Sequence, residues 1–252
     1  MLELYHSGVT TCSKQVRQQL VEKGVPYVSR YVELWSYQNL EPAYLAMNPN
    51  GVVPTLVHDG VPIINSLAIM EYIEDVFPQP PLRPADPVAR AKQRHWSFVA
   101  DEIHPSLANV TYNAVVAKRN KTIDRETVAA IAARMPVPER RERFLRSAGG
   151  GFSAHDISEA WERLDFVLGQ FSDALTPGPW VCGADYSLGD IAMLAIVGRC
   201  HDLKPETVAR RPVLADWLAR SLARPAVRNT YATGTEEAPN RPSGSFKPRA
   251  AE

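Results

Sequence analysis

What this chain lacks excludes several classes of function before any motif is read. Its 252 residues hold only three cysteines, Cys12, Cys182 and Cys200, an odd set with no Cys-x-x-Cys pair, and six scattered histidines. Neither a disulfide framework nor a zinc site is expected, so no metal is assigned and a reducing compartment fits. No charge is in excess: 28 Lys and Arg balance 28 Asp and Glu, and the pI is near 7.0. That balance offers no electrostatic reason to expect nucleic acid or an anionic membrane as partner. Long apolar runs are missing too, since none approaches the ~20 residues that span a bilayer. The opening Met1-Leu2-Glu3-Leu4-Tyr5 reads as a charged strand rather than a basic-apolar signal, and a cytoplasmic protein is expected.

What is present divides at a run of prolines. Leu2, Leu4 and Tyr5 make a short strand, and a polar segment from His6 to Thr11 leads into a helix over Cys12–Lys23, closed by Gly24. A second strand is expected from Pro26 to Leu34, and a short helix within Tyr37–Asn48. Strands Thr55–Val57 and Val61–Ile63 follow across the turn His58-Asp59-Gly60, then a helix from Ser66 to near Pro78. The order β-α-β-α-β-β-α makes residues 1–78 an α/β domain of thioredoxin-like topology. Prolines 78, 80, 81, 84 and 87 stiffen the chain, so 79–87 reads as the linker.

Residues 88–233 read as an all-α domain. Trp96, Val99 and Ile103 share one face, and Trp161, Leu164, Leu168, Phe171 and Leu175 form a stripe at helical spacing. Between 120 and 158 lies one helical patch, Asp124–Met135, followed by Pro136-Val137-Pro138 and the glycine run 149–151; it reads as a functional insertion or a mobile loop. Ser187 and Asp190 read as a capping box before a buried helix. The Pro/Gly-rich polar tail 234–252 is expected to be disordered.

The stretch around which the chain is organised is Asn48-Pro49-Asn50-Gly51-Val52-Val53-Pro54-Thr55-Leu56. Pro54 at a strand edge cannot donate to a ladder, and a cis Val53–Pro54 bond would offer the Val53 N–H and C=O to an extended peptide. Ser66 then opens an amphipathic helix, whose start suits a carboxylate. This motif, with its short turn and Ser-headed helix, resembles the glutathione S-transferase family. The resemblance extends to Ser187-Leu188-Gly189-Asp190, Trp217-Leu218 and Arg224-Pro225-Ala226-Val227. It implies a thioredoxin-like glutathione domain followed by an all-α substrate domain, glutathione as co-substrate, and a homodimer.

An enzyme of this family must lower the pKa of the glutathione thiol, because the thiolate is the nucleophile. The start of the first helix suits that task through its amides, its dipole and the hydroxyls of Thr10, Thr11 and Ser13, with Cys12 among them. Against serine-type members with a Ser-Ser-Cys-Ser motif, the catalytic position falls on Thr10, and a redox use of Cys12 is the alternative. The resemblance assigns Val53 and Pro54 to the cysteinyl backbone, Asn65 and Ser66 to the γ-glutamyl end, and Gln38 or Asn39 to the glycine end. Asn65 stands where the family usually has Glu or Gln.

The runs Leu82-Arg83-Pro84-Ala85-Asp86-Pro87, Arg94-His95-Trp96, Asp101-Glu102, Met135 to Arg140 and Gly151-Phe152 resemble those of bacterial glutathione-dependent β-etherases of lignin breakdown. That likeness implies attack of glutathione thiolate on the β-carbon of an aryl ether ketone, with an aryloxide leaving. Val9, Trp35, His104, Asn109 and Tyr112 are the candidates to line the aromatic cleft. The rival readings are a transferase, dehalogenase or isomerase acting on another electrophile, and a non-catalytic glutathione-binding carrier.

Overall fold

Strand β1 (Leu2–His6) is buried along its whole length, as a central strand covered on both faces must be. In the computed structural model, which describes residues 1–8 and 10–231, β1 pairs in parallel with β2 (Val28–Tyr31) across helix α1 (Thr11–Glu22). On its other side β1 runs antiparallel to β3 (Thr55–His58), which turns back into β4 (Val61–Ile64), giving the order β2-β1-β3-β4. Gly24, at φ +63°, ends α1 as expected. The second strand is shorter than the expected Pro26–Leu34. It stops at Tyr31, and two 3-10 turns, Leu34–Ser36 and Gln38–Leu40, hinge on Tyr37 at φ +62° before the short α2 (Pro42–Leu45).

After α3 (Ser66–Val76), residues 77–86 hold neither helix nor strand. Pro87 does not belong to that connection. It is the first residue of α4 (Pro87–Thr111), where its missing N–H costs nothing, and Asp86 caps the helix by accepting the Ala89 N–H at 2.7 Å. A buried ion pair fastens the connection: Lys23 Nζ lies 2.9 Å from Glu74 and donates to Pro80 O at 2.7 Å, while Glu74 accepts the Leu82 N–H.

The helical unit continues through α5 (Ala117–Asn120), α6 (Arg125–Arg134), α7 (Pro138–Ala148), α8 (Ala154–Ala174), α9 (Leu188–Leu203), α10 (Glu206–Ala209) and α11 (Pro212–Ala223). Its core stacks Trp96, Phe171 and Trp217 edge to face at 4.8 and 4.9 Å, with Leu164, Leu168 and Leu175 beside them. The capping box at Ser187 is formed. Its fully buried Asp190 accepts from the Ser187 N–H and hydroxyl, the Val181 N–H and the Trp217 indole. Polar side chains of α1 bind the two units together: Gln15 donates to Ala192 O, Gln18 to the Tyr186 hydroxyl, and Glu22 pairs with Arg224.

The region 120–158 contains more helix than its prolines suggest. Beyond the expected patch, now α6, Pro138 opens α7, with Glu139 in its first turn and Arg146 in its last, both favourable to the helix dipole. Phe144 of α7 and Ile131 of α6 are buried with Leu40 and Tyr37 of the sheet unit, so these two helices close over the 3-10 turns. Among the described residues no helix is long and apolar enough to cross a membrane. Val9 and the expected tail lie outside the described residues.

Candidate active site between the two units

Helix α1 begins without a cap. Thr10 holds the N-cap position in extended conformation, its side chain makes no capping bond, and no acidic residue lies in the first turn. Instead the Thr10 hydroxyl is 3.0 Å from Ser7 O and 2.7 Å from Ser13 Oγ, and Ser13 Oγ accepts the Ser7 N–H at 3.3 Å. Ser13 is fully buried in this local network. Thr11 is half-buried, and its hydroxyl bonds to no described residue. The structure thus separates the three candidate hydroxyls: Thr10 and Ser13 brace the loop, while Thr11 stands at an open helix start with orphan amides around it. Burial pushes the Cys12 thiol up, opposed by hydrogen bonding to Ser66 and by the charge of Arg140.

The loop carrying Val53 and Pro54 is held from beneath by polar side chains. Asn48, fully buried, donates to Val52 O at 2.8 Å and Thr55 Oγ1 at 3.0 Å, and the Tyr44 hydroxyl donates to the same carbonyl at 2.7 Å. Gly51, at φ +59°, lies so close to Leu40 and Asn39 O that a Cβ would stand 3.0 and 3.2 Å from them. The Val53–Pro54 bond is cis, and the Val53 N–H and C=O bond to no described residue. Gln38 and Asn39 serve the neighbouring turns: Gln38 accepts the Glu33 N–H at 2.8 Å, and Asn39 donates to Gly51 O at 2.7 Å.

Helix α3 begins at Ser66, as expected, and the residue before it closes its start. Asn65 is the cap, at φ +72°, and its carbonyl oxygen accepts the N–H groups of Leu67 and Ala68 at 3.0 and 3.2 Å. That oxygen therefore does not await an ammonium, and those two amides do not await a carboxylate. What remains for a ligand at this end is Asn65 Nδ2, the Ser66 amide and the buried Ser66 side chain.

Across from these two helix starts runs α4. Cys12, Gln15, Ser66 and Leu67 share a cleft with Ala100, Asp101 and His104 of that helix. His104 precedes Pro105 inside α4, and burial together with Arg140 and Arg143 of α7 lowers it from 6.5 to about 4, so its imidazole is neutral near pH 7. Further along, Asn109 Oδ1 accepts from Arg143 Nε at 2.9 Å, and the Arg143 guanidinium lies 6.0 Å from the Tyr112 ring centre. Trp35 stands apart from the cleft residues. It is 41% exposed, and Arg119 lies over its ring at 4.8 Å while donating to its carbonyl at 2.6 Å. Sequence reasoning placed Asn48 in the motif but not its role beneath the loop, and it missed Tyr44, as well as Arg140 and Arg143, whose helix Pro138 masked.

Two family models match the chain: the N-terminal domain of glutathione S-transferase over residues 4–81 and its C-terminal domain over 129–220. The protein LigF of Sphingobium sp. strain SYK-6 is 30% identical over 247 residues, covering 94% of this chain and 95% of LigF. The chain belongs to the glutathione S-transferase family. Glutathione is this transferase's co-substrate. The crystal structure of the β-etherase LigF superposes with a TM-score of 0.87 at 27% identity, over 92% of the transferase and 99% of LigF. A tetrachloro-p-hydroquinone reductive dehalogenase of Sphingobium chlorophenolicum is 26% identical over 88% of the transferase and 92% of its own length. A maleylacetoacetate isomerase of Pseudomonas aeruginosa is 43% identical, over 41% of the transferase and 51% of its own length.

Proposed function

We propose that this transferase is a β-etherase: glutathione thiolate displaces an aryloxide from the β-carbon of a lignin-type aryl ether ketone, giving a thioether and a phenol. The observation that carries this reading is the likeness to the β-etherase LigF over 92% of this chain and 99% of LigF, at a TM-score of 0.87. In this reading Val53 pairs with the cysteinyl backbone through its N–H and C=O. Pro54, buried behind it, fixes the turn, and Ser66 with Asn65 Nδ2 meets the γ-glutamyl end. Gln38 and Asn39 brace the loops near the glycine end.

The sulfur lies at the α1 start, where the amides of Thr11, Cys12 and Ser13 and the Thr11 hydroxyl favour the thiolate. Thr10 matches the family's catalytic position, but its hydroxyl is engaged with Ser7 and Ser13, so Thr11 takes the donor's part. His104, Asn109 and Tyr112 line the aromatic side, and Trp35 lies outside it; the ketone next to the β-carbon activates it, and positioning supplies much of the rate. Cys12, with its thiol raised by burial, is not the nucleophile.

The test is liquid chromatography with mass detection on protein, glutathione and a racemic β-aryloxy-α-aryl ketone. Release of phenol with a matching glutathione thioether is expected, and consumption that halts at half marks use of one enantiomer. The second reading, suggested by the dehalogenase relative, is thiolate attack on a chlorinated aromatic. Thioether from that substrate, with no phenol from the ether, would replace the first reading.

A further inference from the structure

Helix α7 carries two arginines, Arg140 and Arg143, one turn apart on the same face, and Arg143 reaches Asn109 of α4, the helix that also carries His104. Arg143 is half-buried and Arg140 exposed, and among the described residues neither pairs with a carboxylate. Nε of Arg143 is engaged with the neutral oxygen of Asn109, which aims the guanidinium and leaves its two terminal nitrogens without a described partner. A half-buried guanidinium with no carboxylate in contact, felt only at a distance by Glu139 and Glu142 and set beside the Tyr112 ring, is suited to an anion that is present only part of the time. Asp101, on the cleft, is exposed and forms no ion pair with either arginine.

The arginines also decide what their neighbour can do. The charges of both are felt at His104, and that of Arg140 at Cys12 as well. With its imidazole neutral near pH 7, His104 brings no positive charge to a departing oxygen.

We infer that Arg143, reinforced by Arg140, donates hydrogen bonds to the aryl oxygen as it leaves, making Arg143 a catalytic residue for C–O cleavage; this rests on the β-etherase reading above. The thiolate electron pair forms the C–S bond at the β-carbon, and the C–O pair departs with the aryl oxygen. The terminal N–H groups of Arg143 meet that charge while it develops, and the phenolate takes a proton from water after release. Nothing is oxidised or reduced.

The experiment compares wild type, Arg143→Gln and Arg140→Gln on two ketones that differ only in the aryl group lost, an electron-rich methoxyphenol and an electron-poor nitrophenol. Removal of one preorganised donor to an oxyanion costs about 100-fold, so Arg143→Gln is expected to lose about that on the methoxyphenyl ether and under about tenfold on the nitrophenyl ether. Arg140→Gln is expected to show the same bias more weakly, with the KM for glutathione unchanged in both. Equal losses on the two ethers would make Arg143 a packing residue only and overturn the assignment. A rise in glutathione KM without leaving-group bias would place a glutathione carboxylate there and overturn it equally. If Arg143→Gln fails to fold, the exposed Arg140 carries the test, and absence of bias in its variant is decisive. If wild type releases no phenol from either ether, the β-etherase reading itself fails and takes this assignment with it.

Discussion

Two helices point their first turns at one cleft, and they are finished in opposite ways. At α3 the side chain of Asn65 folds over its own helix and satisfies the N–H groups of Leu67 and Ala68. At α1 the corresponding residue, Thr10, turns its hydroxyl back to Ser7 and Ser13 and leaves the helix amides open. A capped start is a stable support with few donors to spare, and an open start is a costly arrangement that attracts an anion. The difference bears on the proposed chemistry: the open start is the one suited to a thiolate, and in that reading the capped one holds the far end of the peptide.

The largest effect is expected at the open start. Thr11→Val should lower kcat/KM by about 100-fold, the usual cost of one lost donor to a reacting anion, and should raise the thiol pKa of bound glutathione, read from thiolate absorbance against pH. Thr10→Val should cost clearly less, because its hydroxyl braces a loop. If the two variants exchange these outcomes, the contrast between the helix starts is wrong.

At the capped start the effect is on stability. Asn65→Ala loses an N-cap, about 1 kcal/mol, and forces a Cβ-bearing residue without a local hydrogen bond to hold φ +72°, about 1 kcal/mol more. Asn65→Gly keeps the backbone comfortable and should cost only a few tenths of a kcal/mol by the same reasoning. Urea unfolding of both variants reads the difference, and equal losses would mean that the positive φ carries no strain.

The smallest effect sharpens the view of the cleft wall opposite both starts. His104 is lowered to about 4 from 6.5, so between those values the unfolded chain binds more protons than the folded one. Stability should therefore fall as pH drops through this window, and His104→Phe should remove that part of the dependence. A urea midpoint that falls just as steeply with pH in the variant would assign the acid sensitivity to other groups.

Much of this was legible along the chain. Alternating apolar residues, Gly24 and the Asp59-Gly60 turn announce the sheet unit, and the spacing of Leu164, Leu168 and Phe171 announces a buried helix, because each signal is carried by residues close in sequence. The motif around Val53-Pro54 was readable for the same reason. Pro87 and Pro138 misled, since a proline reads as a breaker along the chain yet sits comfortably as the first residue of a helix. Reading α7 as loop hid Arg140 and Arg143.

The sequence by itself determined the family, the order of elements, and which hydroxyl-bearing residues stand at the start of α1. Only the tertiary structure decided which hydroxyl is free, that Asn65 closes the start of α3 with its side chain, and that Arg143 of α7 reaches Asn109 of α4 more than 30 residues earlier. The physical reason is that a pattern reports what a residue can do with its near neighbours, whereas the partner that occupies a hydroxyl or leaves a guanidinium unpaired is chosen by contacts between distant segments.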